Sequence, residues 1–190
     1  SISIVGESRE HCVVIGGLLM NGKEEDDINV SNLTLRKSKE YGVHGGYKGA
    51  SMHLDNVSVE NSGRSGVCVS GSKRNTMKNC NVSHSKECGL DVRQGGLMTI
   101  DGNGTTIHHN CTHISLRPIS YGLKAYDSYS SIHLSSSLTK ERISTDNEAD
   151  RDYGGRGTIK SVDKNGKVLE VVFDGSADDV VVDYSAYARR

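Results

Sequence analysis

Apolar and polar residues alternate strictly in several short stretches of the chain. In Ile28-Asn29-Val30-Ser31-Asn32-Leu33-Thr34-Leu35, Met52-His53-Leu54-Asp55-Asn56-Val57-Ser58-Val59 and Met77-Lys78-Asn79-Cys80-Asn81-Val82-Ser83-His84, an Asn precedes an apolar, hydroxyl, apolar run. Period-two alternation predicts strands, because successive side chains point to opposite faces. A second phrase keeps the same phase: Tyr41-Gly42-Val43, Ser65-Gly66-Val67, Cys88-Gly89-Leu90 and Tyr121-Gly122-Leu123, whose glycines are 24, 23 and 33 residues apart. Each repeat therefore carries at least two short strands broken by Gly-, Asn- and Ser-rich turns, with no helical spacing. A coil of this length predicts one turn of a parallel β-helix, each strand stacking about 4.8 Å from its counterpart.

The chain divides accordingly into an irregular first coil over 1–27, regular turns over 28–134 with an expanded fourth repeat from Ile100 to Ser131, and a C-terminal capping segment over 138–190. The β-helix proper is assigned to 1–137. Within the cap, Thr158–Val162 and Lys167–Val172 flank Asn165-Gly166, the signature of a β-hairpin. Such a tail would cover the unpaired edge that the last turn of a solenoid exposes. Asn32, Asn56 and Asn81 are expected at one corner of successive turns as a hydrogen-bonded amide ladder. The competing reading is glycosylation, since Asn-x-Ser/Thr also occurs at these and other positions; Asn103 and Asn110 are the better acceptors if the protein is secreted.

Composition narrows the rest. One Pro, no Trp, one Phe and 22 Gly in 190 residues predict a single domain with Val, Ile and Leu stacks as core. A net charge of −1 gives no basic footprint for nucleic acid, and no apolar run approaches a membrane span. The five cysteines fit neither a disulfide framework nor a zinc site, so they are read as small hydrophobes of a reducing compartment. They favour an intracellular or virion-associated setting, whereas the sequons favour secretion. The opening Ser1-Ile2-Ser3-Ile4-Val5, without Met or a leader, is expected to be a mature form or a fragment.

The repeat phrases, with Ile100-Asp101-Gly102-Asn103-Gly104-Thr105-Thr106-Ile107-His108, resemble right-handed parallel β-helix repeat proteins. More narrowly, with Ser131-Ile132-His133-Leu134 and Tyr153-Gly154-Gly155-Arg156-Gly157, they are similar to a group found in unicellular algae and in the large DNA viruses that infect them. The likeness covers residues 1 to 162. It implies the fold, and leaves open structural roles and the pectin and alginate lyases, epimerases and glycosidases of the wider superfamily.

If Val43, Val67, Leu90 and Leu123 point inward, then His44, Cys68, Asp91 and Lys124 form an outward column, with Gly46, Ser70, Arg93 and Tyr126 beside it. His44, Asp91, Arg93, Lys124 and Tyr126 are the candidate catalytic set, since acidic-sugar chemistry needs a cation for the uronate and an acid and base about the ring. A polar solvent face offers the same inventory. Tyr126 and Tyr47 are the only aromatic stacking surfaces expected there, and paired carboxylates for hydrolysis are missing. His84 is expected in place of the inward Val59; His108 and His109 should face opposite ways and so not share a metal. Asp101-Gly102-Asn103-Gly104 resembles the start of a calcium loop but has Thr112 at position twelve, and Gly154–Thr158 lacks the residues of a phosphate loop. No cofactor or metal is expected. The leading reading is a non-catalytic structural or recognition module, part of an assembly such as an algal virus particle; the alternative is a polysaccharide lyase or uronate C5-epimerase. Partners are expected to be other proteins of an assembly, acidic glycans or further copies of the chain.

Overall fold

The computed structural model describes residues 1–46, 49–113, 119–135, 137–148 and 151–175. Successive coils supply β1 (Ile2–Val5), β2 (Val13–Ile15) and β3 (Leu18–Met20); β4 (Asp27–Arg36) and β5 (Val43–Gly45); β6 (Ser51–Glu60) and β7 (Val67–Ser70); and β8 (Asn75–Lys78), β9 (Asn81–Ser83) and β10 (Leu90–Arg93). They continue with β11 (Leu97–Asp101), β12 (Thr106–His108) and β13 (Leu123–Ala125), then β14 (Ser131–Ser135), β15 (Ser144–Thr145) and β16 (Tyr153–Gly155), and close with β17 (Thr158–Val162) and β18 (Val168–Asp174). One short helix, α1 (Lys140–Ile143), interrupts the sixth coil. The result is an all-β, right-handed solenoid of a 12-stranded sheet and a 6-stranded sheet, parallel throughout except for the last pair.

Alternation places one apolar residue of each coil on its counterpart in the next. Val30, Leu54, Met77, Ile100, Leu134 and their neighbours form a continuous buried stack through the larger sheet. Val43, Val67, Leu90 and Leu123 do the same in the smaller sheet, each fully buried. The repeated glycine before each of these has a steric cause. A Cβ on Gly66 would lie 2.3 Å from Val82 Cγ1, and one on Gly89 2.3 Å from Ile107 Cγ2. The backbone at that corner approaches the next coil's core too closely for any side chain.

The bend between the two halves of the larger sheet is made by asparagines in the left-handed region: Asn32 (φ 55°), Asn56 (φ 55°) and Asn79 (φ 50°). Asn tolerates that conformation at little cost. Asn56 Nδ2 donates to Asn32 Oδ1 at 2.8 Å. Asn81, expected as the third rung of this ladder, is instead in register with Ser58, and Val82 with Val59. A slip of two residues keeps every side chain on its own face, so alternation alone cannot detect it.

A second ladder, unpredicted, lies inside the solenoid. Asn110 Oδ1 accepts from the Ser85 amide at 3.0 Å, and Asn147 Oδ1 accepts from both the Asn110 amide and Asn110 Nδ2 at 3.1 Å. Asn110 is 0% exposed, so in the folded chain it is a structural amide rather than a glycosylation acceptor.

Two boundaries also differ from expectation. The first coil is a regular turn in register, Ile2 on Ile28, Val13 on Thr34 and Leu18 on Val43. Beyond residue 137 the parallel ladder runs on, with Ser144 beside Ile107, Tyr153 beside Leu123 and Thr158–Val162 beside Ser131–Ser135. The Gly-apolar phrase is lost there because Asp152 and Tyr153 stand where Gly122 and Leu123 stand one coil earlier, while the Tyr121 ring lies over Gly154, where a Cβ would meet it at 2.3 Å. The expected hairpin is present as β17–β18, its turn tied by Asp163 Oδ1, which accepts from Asn165 N and Lys167 N at 2.8 and 2.9 Å. Phe173 packs edge-on to Tyr153, while the terminal stretch from residue 176 lies outside the described residues.

Asn110→Ala, which removes the acceptor of the buried Ser85 amide and the donor to the Val82 and His108 carbonyls, is expected to cost about 2–3 kcal/mol in urea unfolding. Asn81→Ala, on the half-exposed outer face, should cost under about 1 kcal/mol; equal losses would contradict this assignment of the ladders.

Candidate functional site

The smaller sheet brings the predicted column together. His44 is in register with Cys68, Cys68 with Asp91 and Asp91 with Lys124. Arg93 pairs with Ser70 one step along. Exposure is where the expectation fails: Cys68, Asp91 and Lys124 are 0%, 2% and 4% exposed, whereas Tyr126 is 41% exposed. Side chains from the turns fold over the column. The Tyr41 ring packs 4.6 Å from His44 and beneath the Arg64 guanidinium at 4.7 Å. Lys124 Nζ lies 4.8 Å from the Tyr126 centroid and 5.7 Å from that of Tyr121, and donates to the Ile119 carbonyl. Tyr47, the other aromatic expected there, lies outside the described residues.

These contacts give the column a structural electrostatics. Arg93 Nη2 donates to Asp91 Oδ2, so the carboxylate is neutralised in place. Asp91 Oδ1 and Arg93 Nε are buried without a hydrogen-bond partner. Burial, with the Asp91 charge second, pushes the Cys68 thiol up to about 12, and burial likewise raises the Tyr41 phenol. His44 is held below its ordinary value by burial first and then by Arg93 and Arg64. A neutral imidazole is the one member of the set suited to accept a proton. The carboxylate and amine an acid–base pair would need are engaged with their neighbours.

A second polar face lies on the outside of the larger sheet. Thr34, Ser58, Asn81 and Thr106 stand in register across four coils and floor an open groove of about 510 Å³. One rim carries the Arg36–Glu60 ion pair (2.8 Å) and His108; the other carries Arg9 and Glu10 of the first coil. His84 does not replace an inward Val: it is exposed at φ 57°, one residue beyond the Ser83–His108 pair. His108 and His109 do not face opposite ways either. His109 follows β12 at φ 53°, which cancels the strand alternation and brings its Nδ1 to 2.7 Å from His108 Nδ1. Its ring stacks on His84 at 5.4 Å with an interplanar angle of 11°. His108 Nε2 meets Asn81 Oδ1 at 2.9 Å. Burial, then the charges of His109 and His84, hold His108 below its ordinary value, and Asp146 opposes them. No group of three ligating side chains is placed to hold a metal ion among the described residues.

Elsewhere on this sheet, His53 bridges Asp27 Oδ1 (3.1 Å) and Thr76 Oγ1 (2.9 Å), and Arg74 also reaches Asp27. That order of groups is the order of a nucleophile, base and orienting acid. The backbone around it is engaged in the parallel ladder, so the strand supplies no amides to an oxyanion and the line serves as a cross-strand staple.

A family model described as the right-handed β-helix region matches residues 16–155. The chain belongs to the right-handed β-helix family. No curated protein and no solved structure gives a significant match. Membership of the β-helix family accounts for the stacked coils and is compatible with structural, recognition and glycan-acting roles alike. Within the described residues, no helix is long and apolar enough to cross a membrane.

Asp91→Ala strips the partner from a largely buried guanidinium and is expected to destabilise the fold by about 2–3 kcal/mol; a neutral effect in denaturant titration would show the column to be dispensable for stability. His44, His108 and His133 are all depressed below 6.5, burial being the largest cause in each. The unfolded chain therefore binds protons first, so the stability these rings contribute is complete above 6.5 and is lost as the pH falls below it. The melting temperature should be lower at pH 5.5 than at pH 7.5, and a flat profile would contradict the assignment.

Proposed function

We propose that the chain is a non-catalytic structural or recognition module: a rigid β-helical rod held within a larger assembly, such as an algal virus particle, or docked along an acidic glycan. The observation that carries this reading is the burial of Asp91 and Lys124, at 2% and 4% exposure, with Asp91 Oδ2 held by Arg93 and Lys124 Nζ by the Ile119 carbonyl. Chemistry on a polymer needs its acid and base open to the sugar ring, and here those groups tie one coil to the next. The groove above Thr34 and Ser58 offers instead a surface for recognition in its rim groups Arg9, Glu10, Arg36 and Glu60 and in the exposed Thr106, which solvent reaches. The low aromatic content, eight Tyr and one Phe with no Trp, agrees with a polar docking face more than with a stacking cleft.

A second reading rests on one observation. Asp91 Oδ1 and Arg93 Nε are buried and unpartnered, and unsatisfied polar atoms beside a neutral His44 are what a polysaccharide lyase or uronate C5-epimerase would retain for its substrate.

Purified chain incubated with alginate, pectate and sulfated algal glycans is expected to give no unsaturated product by ultraviolet absorbance and no epimerisation by proton NMR. Turnover abolished by Tyr126→Phe, with an unchanged circular dichroism spectrum, would overturn the scaffold in favour of the enzyme.

A further inference from the structure

The two ends of the rod are finished differently. At one end β18 runs antiparallel along β17 and stands two strands beyond the edges of β15 and β16. At the other end β1, β2 and β3 belong to a single coil, so their outer edges lie at one level. Among the described residues β1 and β2 pair only with β4, and β3 only with β5. Each therefore presents a row of amides and carbonyls with no strand beside it. These three strands also hold seven of the twelve large apolar side chains exposed among the described residues, at 39–69% exposure. Ile2, Ile4 and Val14 point inward, in register with the buried Ile28, Val30 and Leu35. Val5, Val13, Ile15 and Leu19 point outward, standing over Ser31, Thr34, Arg36 and His44. The outer columns are thus apolar at this coil and polar at the next. Strands apolar on both faces have the pattern of strands covered on both, and an apolar patch of this kind marks an interaction surface.

We infer that the first coil is the interface of a closed two-fold dimer, in which two copies of the chain meet end to end through β1, β2 and β3. An occupant of this end must offer three strand edges at one level around an apolar centre. Within the described residues the first coil alone offers that. The opposite end exposes Val168, Leu169 and Val171 along the single edge of β18, which cannot meet three edges together. A two-fold axis perpendicular to the solenoid and passing through β1 lays β1 along the copy's β1 and β2 along the copy's β3. Every such pair is antiparallel, an arrangement in which strand edges pair fully. β2 and β3 are each three residues long, so neither overhangs the other. On the inner face Val14 meets Leu18 and Met20 of the copy, and on the outer face Val13 and Ile15 flank its Leu19. The corner carrying Glu7, Arg9 and Glu10 comes against the one carrying Lys23, Glu24, Glu25 and Asp26, a rim of mixed charge that salt screens while the apolar contact persists. An isologous contact of this kind closes at two copies. The resulting rod is doubled in length and presents each side face twice, whatever role those faces serve.

Sedimentation equilibrium of the whole chain, under reductant so that Cys12 forms no cross-link, tests the interface. The expected mass is twice that of one chain, unchanged between low salt and about 0.5 M salt. Ile2→Lys/Ile15→Lys, which places two charges on the exposed end, should raise the dissociation constant at least about tenfold with an unchanged circular dichroism spectrum. Tyr129→Lys, at an exposed apolar residue away from the end, should leave the dimer intact. Hydrogen exchange of the native chain above and below the dissociation constant reads the same interface without a substitution: the amides of β1, β2 and β3 should gain protection on association. A monomer at all concentrations, growth beyond two copies, a dimer dispersed by salt, or protection gained elsewhere would overturn the inference.

Discussion

Parallel, in-register stacking of coils is the constraint on which the rest of the molecule depends. The strand amides of one coil are satisfied by the coil beside it, and each paired strand residue rests on its counterpart about 4.8 Å away. A position is therefore never solitary: it belongs to a column along the axis, and its neighbours above and below decide what it can do. Columns of Val, Leu, Ile and Met make the core. Columns of amides make the corners, at Asn32–Asn56 outside and Asn110–Asn147 inside. The repeated glycine exists because a neighbouring coil's Val or Ile occupies the space its Cβ would need.

The same constraint turns the most enzyme-like feature of the chain into a structural one. An imidazole, a thiol, a carboxylate and an amine stacked in register are too close to remain independent. They neutralise one another or recruit neighbours, and here Arg93 serves Asp91 while Tyr121 and Tyr126 flank Lys124. The outer face of the larger sheet carries a groove instead, floored by short hydroxyl and amide side chains. The left-handed corners matter for that face, because they determine where His84 and His109 project.

Much of the fold was legible in the sequence because period-two alternation and the glycine phrase report directly on burial at every coil. What alternation cannot report is a slip by two, which is why Asn-Val-Ser at 56–58 and at 81–83 read as equivalent although Asn81 stands on Ser58. Nor does it survive a left-handed residue, so the pair His108-His109 read as divergent and proved convergent. The column itself was legible, but its burial was not, since the covering groups come from turns. A signal was nonetheless present: Tyr41 and Tyr121 precede the glycine in two of the four repeat phrases, and both fold over the column. The continuation of the solenoid past residue 137 left no Gly-apolar phrase because Asp152 and Tyr153 take the places of Gly122 and Leu123 there.

Lysine footprinting of the native chain tests the central claim, that the polar column is an internal staple and not an open chemical face. Brief acylation followed by mass spectrometry should leave Lys124 unmodified while the exposed Lys23, Lys73 and Lys78 react freely. Modification of Lys124 at the rate of those surface lysines would contradict the account.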